Sequence, residues 1–143
     1  LHKVRADPYV HQLRTQHKAD LVTFLSDAPG GGVGFMGGGR SCGFNVIAHH
    51  TMLGGWTIGH ELGHNMGCPH HTGHAFRAGD VGYFTVMSMG PGAKGKSHPH
   101  VRYHGLLQYS NPGVDYAGVP SGTSTNNNAG IIKRNAKWIA RNY

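Results

Sequence analysis

The amino-acid sequence predicts an α+β fold with a small sheet, and this expectation comes from two kinds of pattern. Short apolar runs between glycine-rich turns are typical of strands, and the chain has them at residues 21–25, 33–36 and 44–48. Longer segments with helical spacing lie at residues 56–66 and 125–143. With 143 residues, the chain is long enough to enclose a core of its own, so we predict a single domain over 1–143.

The N-terminal part of the chain predicts a helix followed by strands. Asp7 and Pro8 are a typical N-cap and first residue of a helix, which predicts a helix over 8–18. The nearly continuous apolar run 21–25 predicts a strand that is covered on both faces. Glycines on both sides of 33–36 are typical of a strand that another backbone approaches closely. This segment is therefore either an edge strand that pairs with a bound peptide or a flexible connection.

Two further helices are predicted from apolar periodicity. In the segment 56–66, Ile58, Leu62 and Met66 recur at i, i+4 and i+8, which predicts that they form its buried stripe. The C-terminal helix is predicted over 125–143, with one apolar face. That face is expected to contain Ile131, Ile132, Ala136, Trp138, Ile139 and Tyr143.

The composition limits the classes of partner. The formal charge is +7, but lysine and arginine are scattered without the interleaved aromatic residues of single-strand binding, so we expect no nucleic acid. No apolar run reaches the ~20 residues that a membrane span needs, so no membrane span is expected. We also predict a monomer. Cys42 and Cys68 are the two cysteines. They either form a disulfide, which would suit a secreted protein, or remain small apolar thiols.

The most specific pattern is HExxHxxGxxH at residues 60–70. On a helix, His60 and His64 lie one turn apart on the same face, so their imidazole nitrogens can point to one metal ion. Gly67 can adopt the left-handed conformation that ends a helix, after which His70 can supply a third nitrogen. A zinc ion (Zn²⁺) with three imidazole ligands and an open fourth coordination position is typical of a catalytic site rather than a structural one. Glu61 is close enough to reach a water molecule on the metal.

Other histidines near the motif are not predicted to bind this zinc ion. A fourth protein nitrogen would fill the open coordination position, which excludes His71 and His74. The segment 94–104 is basic and rich in histidine. We interpret it as a solvated loop; a loop that contacts substrate or binds a second metal ion is the alternative.

The motif, together with residues 85–90 (TVMSMG), resembles the metzincin clan of zinc endopeptidases. Within that clan the chain is most similar to the reprolysin-like (adamalysin) group, particularly its bacterial members. Residues 32–37 resemble the group's edge strand, and residues 42–47 resemble the next strand. Residues 109–114 and 116–123 resemble the segment that precedes the final helix in bacterial relatives. The resemblance covers most of the chain from Ala19 onward.

The resemblance implies a zincin fold. Its parts are a small twisted mixed sheet with an antiparallel edge strand, an active-site helix, a Met-turn and a C-terminal helix. In relatives a strand precedes the first helix, and this strand is expected to be missing or trimmed here. By the same resemblance, His60, His64 and His70 bind one catalytic zinc ion and Glu61 is the general base and acid. Met87 is then the methionine of the Met-turn, beneath the metal.

The resemblance also implies two substrate-binding stretches. The edge strand contributes Gly32, Val33, Gly34, Phe35 and Met36, and the wall of the specificity pocket contributes Met89, Gly90 and Pro91. Two positions depart from the group's pattern. His71 stands where an acidic residue usually follows the third histidine, and Met89 stands where many relatives have tyrosine.

The sequence therefore predicts a secreted, zinc-dependent endopeptidase with a protein or peptide as its substrate. One alternative is a zinc-containing, non-catalytic or adhesive module that binds anionic surfaces through the basic, histidine-rich loop. Another is a zinc hydrolase that acts on a non-peptide amide. Glu61 favours an enzyme, because a module without catalysis does not need a base beside its metal.

Overall fold

The computed structural model describes residues 1–89 and 101–141, and the chain forms two compact units. Unit 1 contains Leu1–Cys68 and the C-terminal residues from Ile132 onward, and unit 2 contains Pro69–Ile131. A few helices and small mixed sheets make up both units together. The predicted α+β class is therefore confirmed, while the single domain over 1–143 stays a prediction.

Four α-helices are described: α1 (His2–Ala6), α2 (Pro8–Gln16), α3 (Trp56–Asn65) and α4 (Asn128–Ile139). The Asp7 carboxylate caps α2 by accepting hydrogen bonds from the backbone N–H groups of Tyr9 and Val10. This helix ends before the predicted residue 18, because Lys18 has a left-handed backbone with φ of 51°. Within the described ranges, no helix has the length and apolar character that crossing a membrane requires.

The sheet of unit 1 has three strands, β1 (Val22–Ser26), β2 (Gly32–Gly34) and β3 (Phe44–Ala48), in the order β1-β3-β2. Strand β1 is parallel to β3 and β2 is antiparallel to it, so the sheet is mixed and β2 is an antiparallel edge strand. The observed strand β2 thus starts and ends earlier than the strand predicted at 33–36. Phe35 still donates its N–H to the Phe44 carbonyl at 3.2 Å, which extends the pairing by one residue.

Two expectations about burial in unit 1 are wrong. Phe24 and Leu25 of β1 are 47% and 49% exposed, because β1 is an outer strand of its sheet and is not covered on both faces. The fully buried residues of α3 are Glu61, Gly63 and Asn65. The predicted stripe of Ile58, Leu62 and Met66 is only half-buried. The face of α3 against the sheet is therefore largely polar.

A buried arginine joins α2 to the strands of unit 1. The Arg14 guanidinium donates to the carbonyls of Ala19, Asp20 and Arg40 at 3.0, 2.6 and 2.9 Å. It also lies 4.6 Å from the centre of the Phe44 ring, and desolvation lowers the pKa of this guanidinium below its usual value. These contacts fix the helix on the same strand, β3, that pairs with the edge strand.

The rotation of α4 differs from the predicted one. Ile139 is buried, but Trp138 is 69% exposed and Ala136 is exposed. Asn135 faces the interior of unit 1 instead, where its side-chain amide donates to the Met66 carbonyl at 3.0 Å. This contact turns Trp138 towards solvent, and Tyr143 lies outside the described residues.

Unit 2 contains a three-stranded sheet and a small hairpin. Strands β4 (Ala75–Ala78), β5 (Val81–Thr85) and β6 (Arg102–Leu106) follow the order β4-β5-β6, with β4 antiparallel and β6 parallel to β5. The hairpin pairs β7 (Asp115–Tyr116) with β8 (Val119–Pro120). Residues 102–104, predicted as part of a solvated loop, belong to β6, and residues 94–100 of that loop lie outside the described ranges.

The two cysteines both belong to unit 1 and do not form a disulfide bond. Cys68 is completely buried, in the core that also contains Phe44 and Ile47. Cys42 is half-buried, and its sulfur would lie 2.9 Å from a Cβ added at Gly37. The disulfide alternative is thus not realised in this structure.

Candidate metal centre

His60 and His64 occupy consecutive turns near the end of α3. Their ring centroids are 4.8 Å apart and their planes are inclined by 88°. The helix stops directly afterwards, because Gly67 adopts a left-handed φ of 93° and donates its N–H to the His64 carbonyl at 2.9 Å. The same carbonyl accepts the Gly37 N–H at 3.1 Å. The backbone beside the second histidine is thereby fixed from two sides.

His70 begins a short 3-10 turn, His70–Thr72, just after the helix. The ligand atoms that His60, His64 and His70 can offer all lie within 4.8 Å of one another. Tetrahedral zinc with ordinary zinc–nitrogen bonds needs nitrogens about 3.4 Å apart. The three histidine nitrogens would therefore have to approach one another only slightly to bind the ion. Among the described residues these three histidines are the one group of this kind, and neither His71 nor His74 belongs to it.

The hydrogen bonding of His64 also suits a metal ligand. Its Nδ1 lies 2.9 Å from the Cys68 carbonyl, and since a carbonyl only accepts, Nδ1 must carry the proton. Nε2 is then the basic nitrogen of this ring, as in metal-binding histidines that donate their other N–H to a backbone carbonyl. The three histidines can therefore hold a metal ion.

Glu61 lies beneath the edge strand and is only 5% exposed. Burial raises the pKa of its carboxyl above the usual value, while the neighbouring His60 and the backbone N–H of Gly34, which donates to the carboxylate, act in the opposite direction. The strand can approach this closely because it has glycines at the two positions that face α3. A Cβ added at Gly32 would lie 2.6 Å from Glu61 Cγ, and one at Gly34 would lie 3.1 Å from Glu61 Oε2.

The other residues of the predicted substrate strand face solvent or the N-terminal helices. Val33 and Met36 are 50% and 61% exposed. Phe35 is half-buried, with the Arg5 guanidinium 4.1 Å from its ring centre and the His2 ring 5.1 Å away. The two glycines and Val33 thus lie on opposite faces of β2, as alternation along a strand requires.

Met87 is completely buried in unit 2. It lies in a turn closed by a 2.9 Å hydrogen bond from the Ser88 N–H to the Thr85 carbonyl. A Cβ added at Gly73 would lie 2.5 Å from the Met87 carbonyl carbon, so this turn packs against the chain three residues after His70. Its role as the floor of a metal site stays a prediction. Met89 is 62% exposed, and Gly90 and Pro91 lie outside the described residues.

Polar residues that the sequence pattern does not predict hold the His70–Thr72 turn. The Ser110 hydroxyl donates to the Thr72 carbonyl at 2.7 Å, and the Asn128 amide donates to the Thr72 hydroxyl at 2.6 Å. The Asn126 amide donates to the carbonyls of His71 and Gly73 at 3.0 and 2.7 Å. The asparagine run 126–128 was the available signal, but asparagine before a helix is equally typical of an ordinary loop or cap.

A second group of missed residues lies under the edge strand. Asn45 of β3 and Asn65 of α3 are both completely buried. The Asn45 amide donates to Asn65 Oδ1 at 2.7 Å. A buried polar pair of this kind is invisible to hydrophobic periodicity, because each residue alone is typical of a surface or a turn.

No protein-family profile matches the chain, and a search of curated proteins finds no match. The fold is similar to that of a chain in a solved structure described as a chaperone-substrate complex. The similarity has a TM-score of 0.68 and covers 96% of the present chain at 21% identity. It covers 23% of the other chain, so the present chain spans about a quarter of its length. At this identity the likeness concerns the fold alone.

Proposed function

We propose that the chain is a zinc-dependent endopeptidase of the metzincin type, as its motif and Met87 suggest. The observation that carries the proposal is the convergence of His60, His64 and His70 within 4.8 Å with Glu61 on the same helix. Three imidazole nitrogens leave room for a fourth, exchangeable ligand on zinc. A purely structural zinc site would use that position for a protein side chain.

The roles of the chain's residues follow from their chemistry. His60, His64 and His70 would hold the ion, and bound zinc supplies a Lewis acid that acidifies water and polarises a carbonyl. The buried Glu61 carboxylate accepts a proton from the attacking water and then delivers it to the leaving amine. The Gly34 backbone lies against this carboxylate, and its N–H favours the charged form that accepts the proton.

A polypeptide is the proposed substrate because β2 is an edge strand. Its partner β3 lies on one side only within the described sheet, so the other side offers backbone groups to an extended peptide. A peptide paired there runs alongside Gly32 and Gly34, beneath which Glu61 lies, about one strand spacing away. The similar solved chain belongs to a chaperone-substrate complex, and a protein ligand is the partner proposed for the present chain.

A second candidate, a module that binds anionic surfaces, is favoured by one observation on α4. Lys133, Arg134 and Lys137 are all exposed on that helix, next to Trp138 with 69% exposure. A basic helix with an exposed tryptophan suits an acidic polymer or surface. This candidate predicts binding that weakens with salt and needs no Glu61.

The deciding experiment measures cleavage of a peptide library by zinc-loaded protein, the same protein stripped by a chelator, and the Glu61→Gln variant. We expect the chelated protein to be inactive and Glu61→Gln to lose about 10³-fold in kcat while binding one zinc ion, since it lacks only the base. Asp80→Asn removes one exposed carboxylate and is the matched control, with unchanged kcat.

Cleavage that survives removal of the metal, or that Glu61→Gln retains, would refute the proposal. Absence of all cleavage, with salt-sensitive retention on an acidic polysaccharide, would favour the second candidate instead. Release of product from small amides but never from peptides would indicate a different class of zinc hydrolase.

A further inference from the structure

Asn65 joins the end of α3 to three backbone carbonyls in two segments of the chain. Its side-chain nitrogen lies 3.0 Å from the Phe35 carbonyl, 2.8 Å from that of Cys42 and 2.9 Å from that of Phe44. Its oxygen accepts the Asn45 amide. An amide nitrogen has two hydrogens, so the three carbonyls share them, and no polar atom of this completely buried side chain lacks a partner.

This residue lies on the same stripe of α3 as Glu61. The two are four residues apart, so both side chains face the sheet, whereas His60 and His64 form the neighbouring stripe. The consecutive edge-strand residues Gly34 and Phe35 contact this stripe. The Gly34 backbone lies against the Glu61 carboxylate, since a Cβ added at Gly34 would be 3.1 Å from Glu61 Oε2, and its N–H favours the charged form of that carboxyl. The Phe35 carbonyl accepts from Asn65.

We propose that Asn65 is a positioning residue for Glu61. By holding the Phe35 carbonyl, Asn65 fixes the height of the edge strand above α3, and the Gly34 N–H then stays on the Glu61 carboxylate. Glycine at 32 and 34 permits this approach but does not enforce it, since glycine contributes no side-chain contact of its own. Asn65 supplies the attractive contact. The catalytic consequence rests on the proposed function, whereas the effect on the Gly34 N–H does not.

Asn45 provides a matched comparison in the same buried pair. It is the β3 residue that pairs with Gly34, and it donates to Asn65 Oδ1 without contacting the Phe35 carbonyl through its side chain. Removing this contact leaves the three carbonyls on the Asn65 nitrogen in place. Both asparagines are fully buried, but Asn45 makes one side-chain hydrogen bond and Asn65 makes four, so truncating Asn45 should cost less stability. The free energy of unfolding of each variant is therefore measured beside the behaviour of Gly34, so that positioning is separated from general destabilisation.

The test compares Asn65→Ala, Asn65→Ser and Asn45→Ser with the wild type, all loaded with zinc. Asn65→Ser keeps a hydroxyl donor and serves if the alanine variant does not fold. The first readout is the Gly34 amide proton in NMR spectra, with its position and exchange rate. The second is the separation of kcat from KM in peptide cleavage, with zinc content measured in each sample.

We expect the Gly34 amide proton of the Asn65 variants to lose its hydrogen-bonded position and to exchange at least about tenfold faster. We expect kcat to fall by about 10- to 100-fold with little change in KM or zinc content, because Glu61 is misplaced. Asn45→Ser should keep the Gly34 signal and a kcat within about threefold of the wild type. An unchanged Gly34 signal in the Asn65 variants, or an equal loss in Asn45→Ser, would overturn the inference.

The two proposals fail in different ways. If the wild type cleaves no peptide, the proposed function is wrong, and the Gly34 signal still decides whether Asn65 positions the strand. If the wild type is active and the Asn65 variants keep its kcat, the inference is wrong and the proposed function stands.

Discussion

The two segments of the HExxHxxGxxH motif are held by different kinds of polar packing. At the end of α3, a single buried amide, Asn65, reaches three backbone carbonyls. At the His70–Thr72 turn, Ser110, Asn126 and Asn128 each reach a different part of the backbone or of Thr72. The first arrangement is concentrated in one side chain, and the second is distributed over three.

Because of this difference, we expect that catalytic activity and metal binding, which are usually lost together, can be lost separately in this chain. Removing Asn65 releases the edge strand beside Glu61, so chemistry should suffer more than metal binding. Removing one member of the distributed group leaves the turn partly held, so stability and metal affinity should fall together by a moderate amount.

The largest effect is expected at His70 itself. His70→Ala removes one of the three proposed ligands. Loss of a hydrogen-bond partner of a metal ligand already lowers metal affinity by about 10- to 100-fold. We therefore expect loss of the ligand itself to weaken zinc binding by at least about 100-fold. Its side chain is exposed, and stability of the metal-free chain should change little. Competition with a chelating dye measures the affinity.

His71→Ala is the control for this substitution. His71 is adjacent, exposed and outside the group of potential ligands, so its zinc affinity should equal that of the wild type. Equal weakening in both variants would mean that the conformation of the turn, and not coordination by His70, determines the affinity.

A smaller effect is expected from a methyl group on the edge strand. Gly32→Ala would place its Cβ 2.6 Å from Glu61 Cγ and 2.9 Å from Thr57 Cγ2, so the strand must move away from α3. We expect kcat to fall by about 10- to 100-fold, as for other small displacements of reacting groups, while zinc stays bound. Steady-state cleavage of a fluorogenic peptide measures this.

Gly31→Ala is the matched substitution one residue earlier. A Cβ at Gly31 meets no atom within 4 Å, so kcat should stay within about twofold of the wild type, as for other surface substitutions. If both alanines lowered kcat alike, the flexibility of the glycine-rich segment would matter and the close approach to Glu61 would not.

The contrast also explains how far the sequence predicts this molecule. Apolar periodicity and glycine spacing locate β1, β3, α2 and α3 to within a few residues, since these patterns report backbone conformation directly. The spacing of the motif predicts the convergence of three histidines, because four residues on a helix and a left-handed glycine at 67 leave little freedom. These predictions depend only on neighbours in the chain.

What the sequence did not predict depends on contacts between distant residues. The stripe of Ile58, Leu62 and Met66 looked like the core of α3, but Glu61 and Asn65 are buried more deeply. Their burial becomes acceptable only when Gly34 and Asn45 supply hydrogen bonds from elsewhere in the chain. A hydrogen bond to the distant Met66 carbonyl likewise explains why Asn135, rather than Trp138, faces the interior of unit 1.

The smallest effect is expected in the distributed group around Thr72. Asn128→Ala removes the donor to the Thr72 hydroxyl, at 2.6 Å, and one of the two acceptors between which the single Ser110 hydroxyl hydrogen is shared, at 2.8 Å. Both hydroxyls belong to buried residues, so the free energy of unfolding should fall by about 1–3 kcal/mol. Urea denaturation of the metal-free chain measures this, and Asn111→Ala, which alters an exposed turn, should change it by less than about 0.5 kcal/mol.

Zinc affinity distinguishes this group from Asn65. Because Ser110 and Asn126 continue to hold the turn in Asn128→Ala, zinc should bind only about tenfold more weakly than in the wild type, and kcat at saturating zinc should remain near its normal value. A fall in kcat as large as that of Asn65→Ala, with zinc still bound, would place both groups in the same role and remove the contrast between them.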